Sequence, residues 1–112
     1  MTNTYLDFFL DGNILRINIH GDIDHHSAKR VRESIDAQIA SKKPLTIILE
    51  LNHVEFMDSS GLGLILGRYT VANEIGAKLV LSRPSRRIRR ILELAGIERI
   101  MEIEGDGDNE AS

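Results

Sequence analysis

The chain has no cysteine, no tryptophan and only two prolines among its 112 residues. Without cysteine there can be no disulfide framework, no thiolate metal site and no thiol nucleophile. Aromatic residues make up 4% of the sequence, which removes the stacking platforms that single-stranded nucleic acid needs. The formal net charge is −3, so no overall attraction draws the chain toward a polyanion. No apolar run nears the roughly 20 residues of a membrane span, and Met1-Thr2-Asn3-Thr4 lacks the basic and apolar regions of a secretory signal. A chain of this length fits one compact domain, since such domains run to about 100–150 residues. The expectation is a soluble cytoplasmic domain with no direct DNA contact and no membrane.

What is present is a succession of short periodic segments. Tyr5 to Leu10 and Asn13 to His20 flank Asp11-Gly12, a strong hairpin signal. In the second run Leu15, Ile17 and Ile19 share one face and Arg16, Asn18 and His20 the other, and Gly21 is expected to end the strand. Asp22 and Asp24 are cap candidates for a helix whose apolar stripe is Ala28, Val31, Ile35 and Ile39. Leu45 to Leu51 is a nearly continuous apolar run, which predicts a central strand of a parallel sheet covered on both faces. Lys78 to Ser82 predicts another strand, Ser85 to Ala95 a helix closed at Gly96, and Arg99 to Ile103 an edge strand. Glu104 to Glu110 has the composition of a disordered acidic tail.

The central stretch is Phe56-Met57-Asp58-Ser59-Ser60-Gly61-Leu62-Gly63-Leu64-Ile65-Leu66-Gly67-Arg68-Tyr69. Asp58, Ser59 and Ser60 offer oxygens to the free N–H groups of a starting helix. Leu62, Ile65, Leu66, Tyr69 and Ala72 read as its core stripe. Three glycines sit inside this helical pattern, each costing about 1 kcal/mol relative to alanine. Gly63 and Gly67 are one turn apart, on a face that either packs closely inside the protein or receives another protein. A phosphate on Ser59 would add roughly −1.5 to −2 charge at a helix start, which the helix dipole tolerates and a docked partner would not.

Other chemistries lack their frames. Gly-x-Ser-x-Gly is absent, Leu66 stands where a dinucleotide loop needs glycine, and no Gly-Lys-Ser/Thr follows for a phosphate loop. His20, His25, His26 and His53 show no metal-binding spacing, and Asp106, Asp108 and Glu110 begin a calcium pattern that the chain is too short to finish. No metal and no cofactor is expected. Arg83, Arg86, Arg87, Arg89 and Arg90 form a basic cluster, either a solvated helix face or a surface for an anionic partner.

Phe56 to Gly63, with Ile65 to Tyr69 following, resembles the core motif of the STAS-domain anti-sigma factor antagonists. Gly21-Asp22-Ile23-Asp24-His25-His26 is similar to the Gly-x-Leu-Asp-His-His segment of that family's sporulation member. The resemblance implies a single α/β domain over residues 5–103 with a tail at 104–112. Its fold would be a small mixed β-sheet, mostly parallel with one antiparallel hairpin strand, packed with about four helices. It further implies a binder that is a substrate and not an enzyme. Unphosphorylated, it would bind an anti-sigma factor that is also a serine kinase and so free a sigma factor of sporulation. Phosphorylation on Ser59 would end the binding, and a serine phosphatase would restore it. By the same motif Asp24 approaches the Ser59 loop, and Asp58, Ser60, Gly61, Leu62, Gly63 and Gly67 lie against the partner. The alternative is a nucleotide-binding regulatory module of the same family.

Overall fold

The computed structural model describes residues 3–107. In chain order the elements are β1 (Tyr5–Asp11), β2 (Ile14–Ile23), α1 (Ala28–Lys42), β3 (Thr46–Glu50), β4 (Val54–Met57), α2 (Ser59–Glu74), β5 (Lys78–Ser82), α3 (Arg86–Leu94), a 3-10 turn (Ile97–Arg99) and β6 (Glu102–Glu104). The sheet order is β1-β2-β3-β5-β6, with β4 pairing the far end of β2. Among the described residues only β1–β2 is antiparallel, and the other pairings are parallel. The mixed sheet is as expected, whereas among the described residues the helices number three plus a 3-10 turn, not about four.

Alternation explains how the sheet meets its helices. Leu15, Ile17 and Ile19 of β2, Ile47 and Leu49 of β3, and Leu79 and Leu81 of β5 are buried with Val31, Ile35 and Ile39 of α1. β3 lies between two parallel neighbours, as its apolar run predicts. Its opposite face carries Glu50, a buried carboxylate that accepts from Arg83 Nε at 3.1 Å and forms a close ion pair with Arg16. That charge is tolerated because two guanidiniums, each still reaching solvent, meet it.

Gly21 does not end β2. It sits at φ +104°, and the register shifts between Gly21 and Asp22. A side chain there would also meet Thr4 Oγ1 at 3.1 Å. Glycine thus supplies a bulge, which lets one strand pair with β3 through Asn18 and with β4 from Gly21 onward.

The buried stripe of α2 is Gly61, Leu64, Ile65, Arg68 and Ala72. Compared with the expected stripe, Leu66 is exposed while Leu62 and Tyr69 are only half-buried. The rotation has a charge at its centre. Arg68 is 6% exposed and reaches Asp36 of α1 through Nη1 at 3.0 Å, so hydropathy alone assigns it to the wrong side.

The composition-based tail is partly built into the fold. Glu104 belongs to β6 and its carbonyl accepts from Arg83 N at 2.7 Å, while Gly107 N donates to Pro84 O at 2.9 Å. The remainder of the expected tail, 108–112, lies outside the described residues.

Candidate functional site

β2 and β4 run parallel and finish together, Ile23 opposite Met57. The loops that follow are therefore neighbours, joined where Asp58 N donates to Ile23 O at 3.3 Å. Asp58 is the N-cap of α2: its Oδ1 accepts from Ser60 N at 2.8 Å and from Gly61 N at 3.3 Å. Ser59 is then the first helical residue and is exposed, with Ser60 half-buried beside it.

Asp24 occupies the adjacent loop, but no hydrogen bond links it to Ser59. Its Oδ1 accepts from His26 N at 2.9 Å and Ser27 N at 3.1 Å, closing a turn before α1. Burial opposes ionisation of this carboxyl, yet those backbone donors and the nearby His26 outweigh it, so its pKa lies below the ordinary aspartate value. Ser27, not Asp22 or Asp24, takes the N-cap position of α1, and its Oγ donates to Asp22 O at 2.8 Å. The side chain that reaches across to the α2 cap is His25, whose Nδ1 lies 3.9 Å from Asp58 Oδ2.

The three glycines have different surroundings. A Cβ on Gly61 would fall 2.4 Å from Met57 Cγ and 2.7 Å from Ile23 O, so this residue is where α2 meets the strand ends. Gly61 is buried and the neighbouring Leu62 is half-buried against the core. A Cβ on Gly63 or Gly67 would meet nothing within 4 Å. Close internal packing does not account for these two glycines. Gly63→Ala and Gly67→Ala are each expected to stabilise the fold by about 1 kcal/mol, the helix-propensity gain, and to raise the thermal midpoint by about 4 °C. A lowered midpoint in thermal melts of either variant contradicts the open face.

Gly63 and Gly67 line an open groove of about 440 Å³ between α1 and α2, together with Lys29, Arg32, Ser60 and Arg68. Burial draws Arg68 below the ordinary arginine pKa; Asp36 opposes this and the charge of Arg32 adds to it. Arg68 Nε is buried without a hydrogen-bond partner among the described residues. Sequence reasoning missed Lys29, Arg32 and His25 as groove residues. The available signal was the Lys29-Arg30-Val31-Arg32 run in a helix with no acidic residue in its first turn.

The basic cluster over residues 83–90 is partly neutralised by the protein itself. Arg83 bonds Glu50, and Arg89 Nη2 donates to Gly105 O at 2.6 Å and lies 3.5 Å from Asp106. Among the described residues no three metal-ligating side chains converge. His20 instead stacks between Tyr5 and His53, at ring-centroid distances of 4.3 and 4.8 Å. No described helix is long and apolar enough to cross a membrane.

A mixed sheet with a capped helix springing from a strand end, exposed serine first, matches a known class of domain. The chain belongs to the STAS-domain family, whose family model matches residues 6–108. Among curated relatives, the anti-sigma F factor antagonist of Paenibacillus polymyxa is 37% identical over 90 residues, covering 80% of this chain and 77% of the relative. The anti-sigma-B factor antagonist of Bacillus subtilis strain 168 is 32% identical over 101 residues, covering 90% and 91%. The solved structure of the anti-sigma factor antagonist SpoIIAA in its unphosphorylated form superposes with a TM-score of 0.71 at 27% identity, covering 97% of this chain and 94% of that one. Its phosphorylated form, from Bacillus, has a TM-score of 0.69 at 27% identity, covering 96% of each chain. With relatives of this kind, the chain is a regulatory domain and not an enzyme.

Proposed function

We propose that this chain is an anti-sigma factor antagonist of the cytoplasm, switched by phosphorylation of Ser59. Unphosphorylated, it binds an anti-sigma factor through the exposed start of α2 and so frees the sigma factor. The anti-sigma factor, acting as a serine kinase, transfers the γ-phosphoryl group of ATP to Ser59 Oγ. The β–γ P–O bond breaks, ADP leaves, and the hydroxyl proton passes to a base on the kinase. A serine phosphatase hydrolyses the ester and resets the chain.

The observation that carries this reading is the setting of Ser59: exposed, first in α2, directly after the capping Asp58. An anion at a helix N-terminus is electrostatically favoured, so the phosphate leaves the fold in place. The same charge stands beside the Asp58 carboxylate, where it repels and obstructs a docked protein. SpoIIAA, solved in both an unphosphorylated and a phosphorylated form, supports the same switch here. Relatives named for sigma-F and for sigma-B, at 37% and 32% identity, support partner switching in general, and the sigma factor freed is taken as one of sporulation on the likeness of the Gly21 to His26 segment.

The test is mass spectrometry after incubation with ATP and each anti-sigma factor encoded by the source organism. One phosphate is expected, on Ser59, and none on the Ser59→Ala variant, which still binds. Phosphate on Ser59→Ala refutes the acceptor assignment. The nucleotide-binding alternative has the basic groove in its favour, and it predicts saturable ATP or GTP binding by the chain alone.

A further inference from the structure

We propose that the groove between α1 and α2 receives an acidic segment of the partner protein, and that Lys29 and Arg32 select it. This rests on the partner-switching reading and names the chemistry of the surface that is recognised.

Among the described residues the groove concentrates positive charge with no acidic side chain on its lining. Lys29 and Arg32 are exposed, and among the described residues neither has an ion pair. Both sit near the start of α1, where the helix dipole disfavours cations. The α2 N-terminus alongside is met by its own Asp58 cap, so the uncompensated charge of the groove is that of Lys29 and Arg32. Beneath lies Arg68, more than nine-tenths buried, with Nη1 on Asp36 and Nε unpartnered.

Such an arrangement is locally unfavourable in a chain whose net charge is −3. The arginines at 83 and 89 provide the contrast, since Glu50 meets Arg83 and Gly105 and Asp106 meet Arg89 of α3 within the same chain. In the groove, neutralisation is left to a partner.

Shape favours a polypeptide over a small anion. The groove is open, and its α2 wall lacks side chains at Gly63 and Gly67, one turn apart, which lets another backbone approach. Lys29 and Arg32 stand three residues apart on α1, a spacing of about 5–6 Å between Cβ atoms, which suits carboxylates one turn apart on a facing helix.

The experiment is calorimetric titration of the anti-sigma factor with the full chain and its K29E/R32E variant, at low and high salt. Ser59→Asp and an ATP or GTP titration are run in parallel. The wild-type affinity should fall with salt, and the variant should bind about tenfold or more weakly with a flatter salt dependence. Its thermal midpoint should hold or rise, because acids replace cations at a helix N-terminus. Undiminished affinity of the variant, while Ser59→Asp still blocks binding, overturns the groove proposal and leaves the switch standing. Saturable nucleotide binding that the variant loses, with partner affinity unchanged, also overturns it. A wild-type chain that binds no anti-sigma factor of the source organism overturns the partner-switching reading and this proposal with it.

Discussion

Ser59→Asp is expected to weaken binding to the anti-sigma factor by about 100-fold or more, since a like-charge contact across an interface costs several kcal/mol. The fold should not register the change. Ser59 is exposed at the first helical position, and the α2 cap is made by Asp58 through Ser60 N and Gly61 N, none of which requires the Ser59 side chain. A negative charge there interacts favourably with the helix dipole, so the thermal midpoint should stay within about 2 °C of wild type. Calorimetry and a melt on the same sample separate the two effects. Affinity lost together with stability would mean that the serine supports the fold.

Gly61→Ala should do the reverse, destabilising by about 3 kcal/mol, the upper range for overpacking, and lowering the thermal midpoint by about 10 °C. The added Cβ would lie 2.7 Å from the Ile23 carbonyl oxygen, which is backbone in a paired strand. It would also lie 2.4 Å from Met57 Cγ, so a rotamer change at one neighbour cannot relieve both contacts. Gly63→Ala, two residues on, is expected to move the midpoint upward, because nothing lies within 4 Å. Opposite signs at two glycines of one helix would separate a packing role from an open surface, and denaturant unfolding of the pair measures both. Equal destabilisation by the two variants would contradict the geometry around α2.

Which of these features can be read from the sequence follows from their physics. Val31, Ile35 and Ile39 obey helical spacing and are all buried, and the apolar run through Ile47, Ile48 and Leu49 marks a strand between two parallel neighbours. Asp11-Gly12 marks the hairpin, although the turn itself falls on Gly12 and Asn13. Hydropathy fails at α2 because the inward position is an arginine matched by Asp36, 32 residues earlier on another helix. It fails at Gly21 because a bulge and a strand end look alike until the second partner, β4, is in place.

The site divides in the same way. The cap at Asp58 and the serines after it are local, hence visible as a motif. The basic groove is not local, since Lys29 and Arg32 meet Gly63 and Gly67 only once α1 and α2 lie side by side. Composition misassigned 104–107 for a related reason. Those residues are acidic and glycine-rich, yet backbone bonds to Arg83 and Pro84 and a contact with Arg89 hold them.

The most direct measurement is a pair of calorimetric titrations of the anti-sigma factor, one with the unphosphorylated chain and one with the chain carrying a single phosphate on Ser59. The partner-switching account predicts saturable binding by the first and an affinity about 100-fold or more lower for the second. Equal affinities for the two forms would contradict it.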